Sequence, residues 1–158
     1  MLEVVDAFEK DAGAVASTLI REYIVTTADE QGVPVSALPH PVDDEVADLR
    51  SFYSPPGAVF LAEKAGKPIG CVALRALSGS TGEVRRLYVQ ADHRHLGVAA
   101  SLMQKLHTHA AAHGLRTIVL DVLPERESVI AWYRRLGYVD TDPFGESNQP
   151  MVYLRVEL

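Results

Sequence analysis

Residues 87–103 read LYVQADHRHLGVAASLM, and this stretch decides the architecture. Leu87-Tyr88-Val89 reads as the end of a strand, the residues that follow are short and polar, and from Gly97 the pattern changes period. Val98, Ala99, Leu102, Met103, Leu106 and Ala110 fall on one apolar stripe at helical spacing. A strand that passes through a short loop into a helix is an anion site in outline. The first backbone N–H groups of a helix have no partner inside it, and the helix dipole places partial positive charge there. Gly97 and the small Ala99 and Ala100 let a diphosphate approach the main chain closely, and Arg94 adds a charge-assisted donor. A plainer reading stands beside this one: Gly97 starts the helix and the small residues pack on a sheet. No Gly-Lys-Ser/Thr follows, so the loop is not a P-loop. Nor does the first strand–helix unit carry G-x-G-x-x-G, which argues against a dinucleotide fold.

Working outward, EVRRLYV (83–89) is the strand that feeds this loop, and Ser78 to Gly82 is the polar turn before it. AVFLAEK (58–64) and IGCVALRAL (69–77) flank the turn Ala65-Gly66-Lys67-Pro68 as a hairpin. Farther upstream, Met1 to Ala7 reads as a strand. Asp11 is placed to cap a helix carrying Val15, Leu19, Ile20, Tyr23 and Ile24. Residues 28–42 are a loop, and a short helix over Asp43 to Phe52 has its acids at the favoured end. Downstream, Gly114 ends the long helix and TIVLDVL (117–123) is a strand of the buried type. Pro124 opens a helix with Val129, Ile130, Tyr133 and Leu136, which Gly137 stops. Tyr138 to Asp140 and Met151 to Glu157 supply the last two strands. The order β-α-α-β-β-β-α-β-α-β-β implies an α/β fold, a mixed sheet with helices packed on it.

The chain has 158 residues, 47% hydrophobic and 23% charged, the values of one ordinary globular domain spanning 1–158. A net charge of −6 argues against nucleic acid and suits an amine substrate. The single cysteine, Cys71, forms no internal disulfide, which favours a reducing compartment. The opening MLEVVDAFEKD lacks a basic start and an apolar run, and no stretch approaches the ~20 apolar residues of a membrane span. A cytoplasmic protein without membrane contact is expected.

Arg94-x-x-Gly97-x-Ala99 after Leu87-Tyr88-Val89 resembles the pyrophosphate motif R/Q-x-x-G-x-G/A of the GNAT superfamily of N-acetyltransferases. TIVLDVLPERESVIAWYRRLGY (117–138) resembles that family's second motif, a strand and helix ending in Tyr-x-x-x-Gly-aromatic, supplied by Tyr133, Gly137 and Tyr138. The matching block covers residues 58 to 140, and the upstream helices have the family's order. The resemblance implies a mostly antiparallel sheet of about seven strands with about four helices, in which the fourth and fifth strands splay apart. It implies acetyl-CoA as co-substrate. Backbone groups of Leu87, Tyr88 and Val89 would meet pantetheine and the thioester, and Arg94, His95, Leu96, Gly97, Val98, Ala99 and Ala100 would cradle the pyrophosphate. Arg126 stands where the family often has Asn, which exchanges an amide contact to pantetheine for a side chain able to reach a phosphate.

Two residues are candidates for catalysis. Tyr133 matches the family tyrosine whose hydroxyl points at the thioester sulfur, a general acid for the leaving thiolate; a core aromatic with its hydroxyl on a backbone carbonyl is the other reading. Glu83 is the candidate base, acting directly or through a water as β4 glutamates of the family do. A period-2 strand places 83, 85, 87 and 89 on one face unless a bulge intervenes; a solvated strand-end carboxylate is the alternative. His93 with His95, and His109 with His113, have too few companions for a metal. Cys71 should be buried and inert. Arg85, Arg86, Arg134 and Arg135 are surface residues by default or partners of the CoA 3′-phosphate. Asp43, Asp44 and Glu45 are helix-start acids or attract an amine.

The expected reaction is acetylation of a primary amine on a small molecule or amino-acid-like acceptor, with protein N-terminal or lysine acetylation and a non-catalytic acyl-CoA sensor as alternatives. The resemblance implies acceptor contacts in the variable first helices and the last hairpin, here residues 21–56 and 141–151, which hold Tyr23, Phe52, Tyr53, Phe144 and Asn148. A homodimer is compatible with the size.

Overall fold

The computed structural model describes residues 1–145, 147 and 149–158. In chain order the elements are β1 (Leu2–Asp6), α1 (Gly13–Gln31), α2 (Asp43–Ala47), α3 (Leu49–Phe52), β2 (Ala58–Lys64), β3 (Lys67–Ala76) and β4 (Thr81–Val89). There follow α4 (Val98–Ala112), β5 (Thr117–Val122), α5 (Glu127–Arg135), β6 (Val139–Asp140) and β7 (Val152–Glu157). The strands form one 7-stranded sheet in the order β1-β2-β3-β4-β5-β7-β6. Every pairing is antiparallel except β4 with β5. No helix among the described residues is long and apolar enough to cross a membrane.

The sheet is covered on both faces, which is why AVFLAEK is apolar almost throughout rather than alternating. Ala58, Phe60 and Ala62 join the core formed with α4 and α5, around Leu102, Leu106 and Ile130. Val59 and Leu61 join the opposite core, with Leu19, Ile20 and Ile24 of α1 and Leu49 of α3.

Two irregularities of β4 shape everything that follows. The parallel pairing with β5 joins only Thr81, Gly82 and Glu83 to Thr117, Ile118 and Val119; beyond these the strands part. The register against β3 also slips, with Cys71 opposite Tyr88 but Ala73 opposite Arg85, so β4 carries one extra residue. Arg86 sits there in the left-handed region at φ 60. The bulge reverses the side-chain phase. Val84, Leu87 and Val89 face the α4 core, whereas Arg86 and Tyr88 face α1 and α2. Glu83, Arg85, Leu87 and Val89 therefore do not share a face, as strict alternation would have had it.

Other expectations need correcting. Asp11 does not cap α1: it has φ 54, and Ala12 holds the cap position without a side-chain hydrogen bond. Val15, placed on the apolar stripe, is 39% exposed. α1 continues through Gln31 before Gly32 turns left-handed, so the loop starts later than residue 28. The helix expected over 43–52 divides at Asp48, whose carboxylate accepts from the Ser51 amide at 3.2 Å and caps α3. α5 starts at Glu127 rather than at Pro124.

Candidate active site

A cavity of about 500 Å³ opens where β4 and β5 part. Its construction follows from β4: the strand end, the loop after it and the first turn of α4 form one wall, and β5 and α5 form the other.

At one end, Arg94, His95, Gly97, Val98, Ala99 and Ala100 line the cavity. The backbone is left-handed at His95 (φ 63) and Gly97 (φ 80), which turns the loop and opens the unpaired amides of α4 toward the space. Arg94 Nε donates to the Val89 carbonyl at 2.9 Å, tying the loop back to the strand it leaves. That carbonyl is thus engaged within the protein, while Leu87 and Tyr88 line the cavity with it. The Leu96 side chain points away, 63% exposed and outside the lining.

Along the middle stands Tyr133, 5% exposed, with its ring edge-on to Trp132 and Tyr138 at 5.1 and 5.4 Å. Its hydroxyl makes no hydrogen bond to a described residue, so it is not the core aromatic anchored on a carbonyl. Burial pushes this phenol up from its ordinary value, the nearby Tyr23 adds to that, and Arg126 opposes it. Arg126 is the N-cap residue of α5 and reaches into the same space, where its Nη1 donates to the Tyr23 hydroxyl at 3.4 Å. Tyr23 in turn tilts against Tyr88 at 5.7 Å. Of the residues placed near the acceptor by sequence, Tyr23 does line the cavity.

The far end is polar and buried. Arg86 Nε and Nη2 donate to Glu45 at 2.8 to 3.2 Å, and the Tyr53 hydroxyl donates to the same carboxylate at 2.7 Å. Glu45 is wholly buried, so it is neither an exposed helix-start acid nor a lure for amines. Burial opposes its ionisation, but Arg86, Tyr53 and Arg85 together hold the carboxyl below its ordinary value. Arg85 and Arg86 are not solvated: Arg86 pairs with Glu45, and Arg85 lies 3.5 Å from both Glu45 and Glu83 with its Nε buried and without a hydrogen-bond partner among the described residues. Tyr53 is core, and Phe52 lies under the Arg75 and Arg85 guanidinium groups at 4.1 and 5.5 Å. Phe144 packs edge-on to Tyr153 at 5.4 Å and does not line the cavity. Asn148 lies outside the described residues. Arg134 pairs with Asp140 at 2.8 Å on the surface, whereas Arg135 lines the cavity.

Glu83 is 5% exposed and sits just before the point where the strands part. Burial raises its pKa, Arg85 at 3.5 Å opposes that, and the charge of Asp121 adds to it. It is thus no solvated strand-end carboxylate, and it does not itself line the cavity. The groups that do so beside it are His40 and Asp121, joined by His40 Nε2 at 2.8 and 3.1 Å from the two Asp121 oxygens. His40, Glu83 and Asp121 place one ligand-type atom each within 4.8 Å of one another. Sequence reading named Glu83 but missed His40 and Asp121 beside it. Asp121 carried a signal, a lone carboxylate inside the apolar run TIVLDVL; His40, in an aperiodic loop, carried none. His109 and His113 stack at 4.0 Å, but each has a ring nitrogen on a backbone carbonyl.

Comparison with known proteins agrees with this geometry. The model of the acetyltransferase (GNAT) family matches residues 18–138. An uncharacterized N-acetyltransferase of Schizosaccharomyces pombe is 31% identical over 121 residues, 74% of each chain. A GNAT-family acetyltransferase of Staphylococcus aureus superposes with a TM-score of 0.81 at 13% identity, over 99% of both chains. An aminoglycoside 6′-N-acetyltransferase complexed with coenzyme A superposes with a TM-score of 0.72 at 17% identity, over 99% of this chain and 96% of that one. With the family model covering most of the chain and the strands parting over a cavity at the expected place, the protein belongs to the acetyltransferase (GNAT) family and is an N-acetyltransferase.

Proposed function

We propose that the protein transfers the acetyl group of acetyl-CoA to a primary amine of a small molecule or amino-acid-like acceptor, by direct attack within a ternary complex. One observation carries this reading: a single cavity joins the N-terminal loop of α4, a tyrosine hydroxyl with no hydrogen bond to a described residue, and the part-buried His40–Asp121 pair. In the similarly folded aminoglycoside acetyltransferase a coenzyme A is bound, and the anion loop from Arg94 to Ala100 suits its diphosphate. Arg126, facing the same space, adds a cation for a phosphate.

The chemistry has three needs. An alkyl ammonium of pKa ~10.4 is only about 0.1% neutral near pH 7.4, so a base must take its proton. The oxyanion that develops on the thioester needs preorganised donors, a role for a backbone N–H among Leu87 to Val89 on the edge that β5 leaves beyond Glu83. The leaving thiolate, of thiol-like pKa ~8.5, needs an acid, and Tyr133 is the hydroxyl on that wall. Glu83 contributes its charge to the base from behind His40 and Asp121 rather than by touching the amine.

The test is release of free thiol from acetyl-CoA against amines, amino acids, polyamines and peptides, with acetyl-CoA binding followed by calorimetry. Turnover with a small amine is expected. Turnover confined to peptides would reassign the acceptor to protein, and binding without any turnover would make the protein an acyl-CoA sensor.

A further inference from the structure

We propose that His40 takes the proton from the acceptor ammonium, held in place by Asp121 with Glu83 behind it. The inference rests on the acetyl-transfer reading above and names the group that meets the acceptor.

His40 is unusually well fixed for a loop residue. Pro39 and Pro41 flank it and restrict the backbone on both sides. Its carbonyl accepts from Arg86 Nη2 at 3.2 Å, and Arg86 is itself clamped by Glu45. The β4 bulge thus pins the loop across the opening between β4 and β5. The ring is fixed by Asp121, whose carboxylate only accepts, so Nε2 carries the hydrogen and Nδ1 of the neutral ring is left as a lone pair. Nδ1 has no hydrogen bond to a described residue. Side-chain exposure falls from 22% for His40 to 11% for Asp121 and 6% for Glu83, an order that runs from the cavity inward.

In the step, an N–H bond of the ammonium breaks and an Nδ1–H bond forms. The imidazolium is stabilised by Asp121 against Nε2 and by the Glu83 carboxylate within 4.8 Å. The neutral amine then forms the C–N bond to the thioester carbonyl, and the C–S bond breaks. The sulfur takes the Tyr133 hydroxyl proton, and the second proton lost by the amine nitrogen restores it. The proton on His40 passes to water, so one proton is released for each acetyl group transferred.

The same three side chains also have the composition of a divalent-metal site. Two features favour the proton path. Both Asp121 oxygens are within hydrogen-bond distance of Nε2, and the Arg85 guanidinium lies 3.5 Å from Glu83, where it would repel a cation.

The experiment compares wild type with His40→Gln and His40→Ala, using an acceptor that the wild type acetylates. In His40→Gln, kcat should fall by roughly 10²-fold or more, the contribution of a positioned base, while acetyl-CoA affinity and thermal stability stay near wild type. Added imidazole should restore part of the rate to His40→Ala, which a purely structural role would not allow. Retention of kcat in His40→Gln would overturn this inference alone. Loss of wild-type activity on chelation, restored by zinc, would overturn it in favour of a metal. No wild-type turnover with any acceptor would overturn the acetyl-transfer reading and this inference with it.

Discussion

Arg86 and Glu45 form a buried ion pair at 2.8 Å that joins the bulge of β4 to α2. Neither strand periodicity nor helix propensity calls for it. The extra residue in β4 turns the Arg85 and Arg86 side chains to the same face, and Glu45 meets both. The pair connects the bulge, where β4 changes phase, to the loop that carries His40, since Arg86 also holds the His40 carbonyl. A structural ion pair thereby sets the position of a group at the cavity.

Glu45→Gln should lower the free energy of unfolding by about 3–5 kcal/mol, because it leaves the buried Arg86 guanidinium without its counter-charge. Denaturant titration of both proteins checks this. The pH dependence has a definite sign. The folded pKa of Glu45 lies below its ordinary 4.5, so its contribution is present above that value and is lost as the pH falls through the folded pKa. The wild type should lose stability on acidification below that range, and Glu45→Gln should lack that part of the slope.

At Gly97 the backbone has φ +80 and a Cβ would meet nothing within 4 Å, so the position is constrained by conformation and not by space. Gly97→Ala should cost roughly 1–2 kcal/mol of stability from left-handed strain and leave acetyl-CoA binding measurable. Gly97→Glu adds a negative charge at the start of α4, where the diphosphate is proposed to lie, and should abolish acetyl-CoA binding in calorimetry. Unchanged affinity in Gly97→Glu would remove the loop from the phosphate site.

The fold was readable because its signals are local. The change from alternation to helical spacing at Gly97, the glycines that stop α4 and α5, and the apolar run of β2 each follow from residues close in sequence. The loop proposed for the diphosphate could be picked out for the same reason, being contiguous in sequence and lining one end of the cavity. At the opposite end Glu83 stood out, but its arrangement with His40 and Asp121 did not. It depends on a one-residue bulge that reverses the faces of β4, and on contacts such as His40 with Asp121, 81 positions apart. Arg85, Arg86 and Glu45 looked like surface charges because no periodicity marks a charge that will be buried beside its partner.

Cys71 has no exposed surface, and its Sγ–H donates to the Arg86 carbonyl at 3.4 Å, inside the bulge. Burial pushes the thiol up to about 12, with Glu45 and Glu22 adding to that effect and Arg86 opposing it. The native protein should therefore react with a thiol reagent far more slowly than free cysteine does, and denaturant should release one fast-reacting thiol. This also keeps the thiol-release assay free of background from the enzyme. Rapid labelling without denaturant would show that the β3–β4 bulge opens on the timescale of the assay.

Tyr133→Phe separates chemistry from packing because the hydroxyl bonds to no described residue while the ring packs between Trp132 and Tyr138. Removing only the oxygen leaves those ring contacts in place and sacrifices no hydrogen bond to a described residue, so stability should stay within about 0.5 kcal/mol of wild type. If the hydroxyl protonates the leaving thiolate, kcat should fall by roughly 10²-fold while acetyl-CoA affinity changes little. Burial raises the pKa of the phenol, so the hydroxyl carries its proton throughout the working pH range. Steady-state kinetics with a fixed acceptor, alongside calorimetric binding of acetyl-CoA, gives both numbers. An unchanged kcat would take Tyr133 out of the mechanism, and a matching loss of affinity would instead make it a binding residue for the thioester arm.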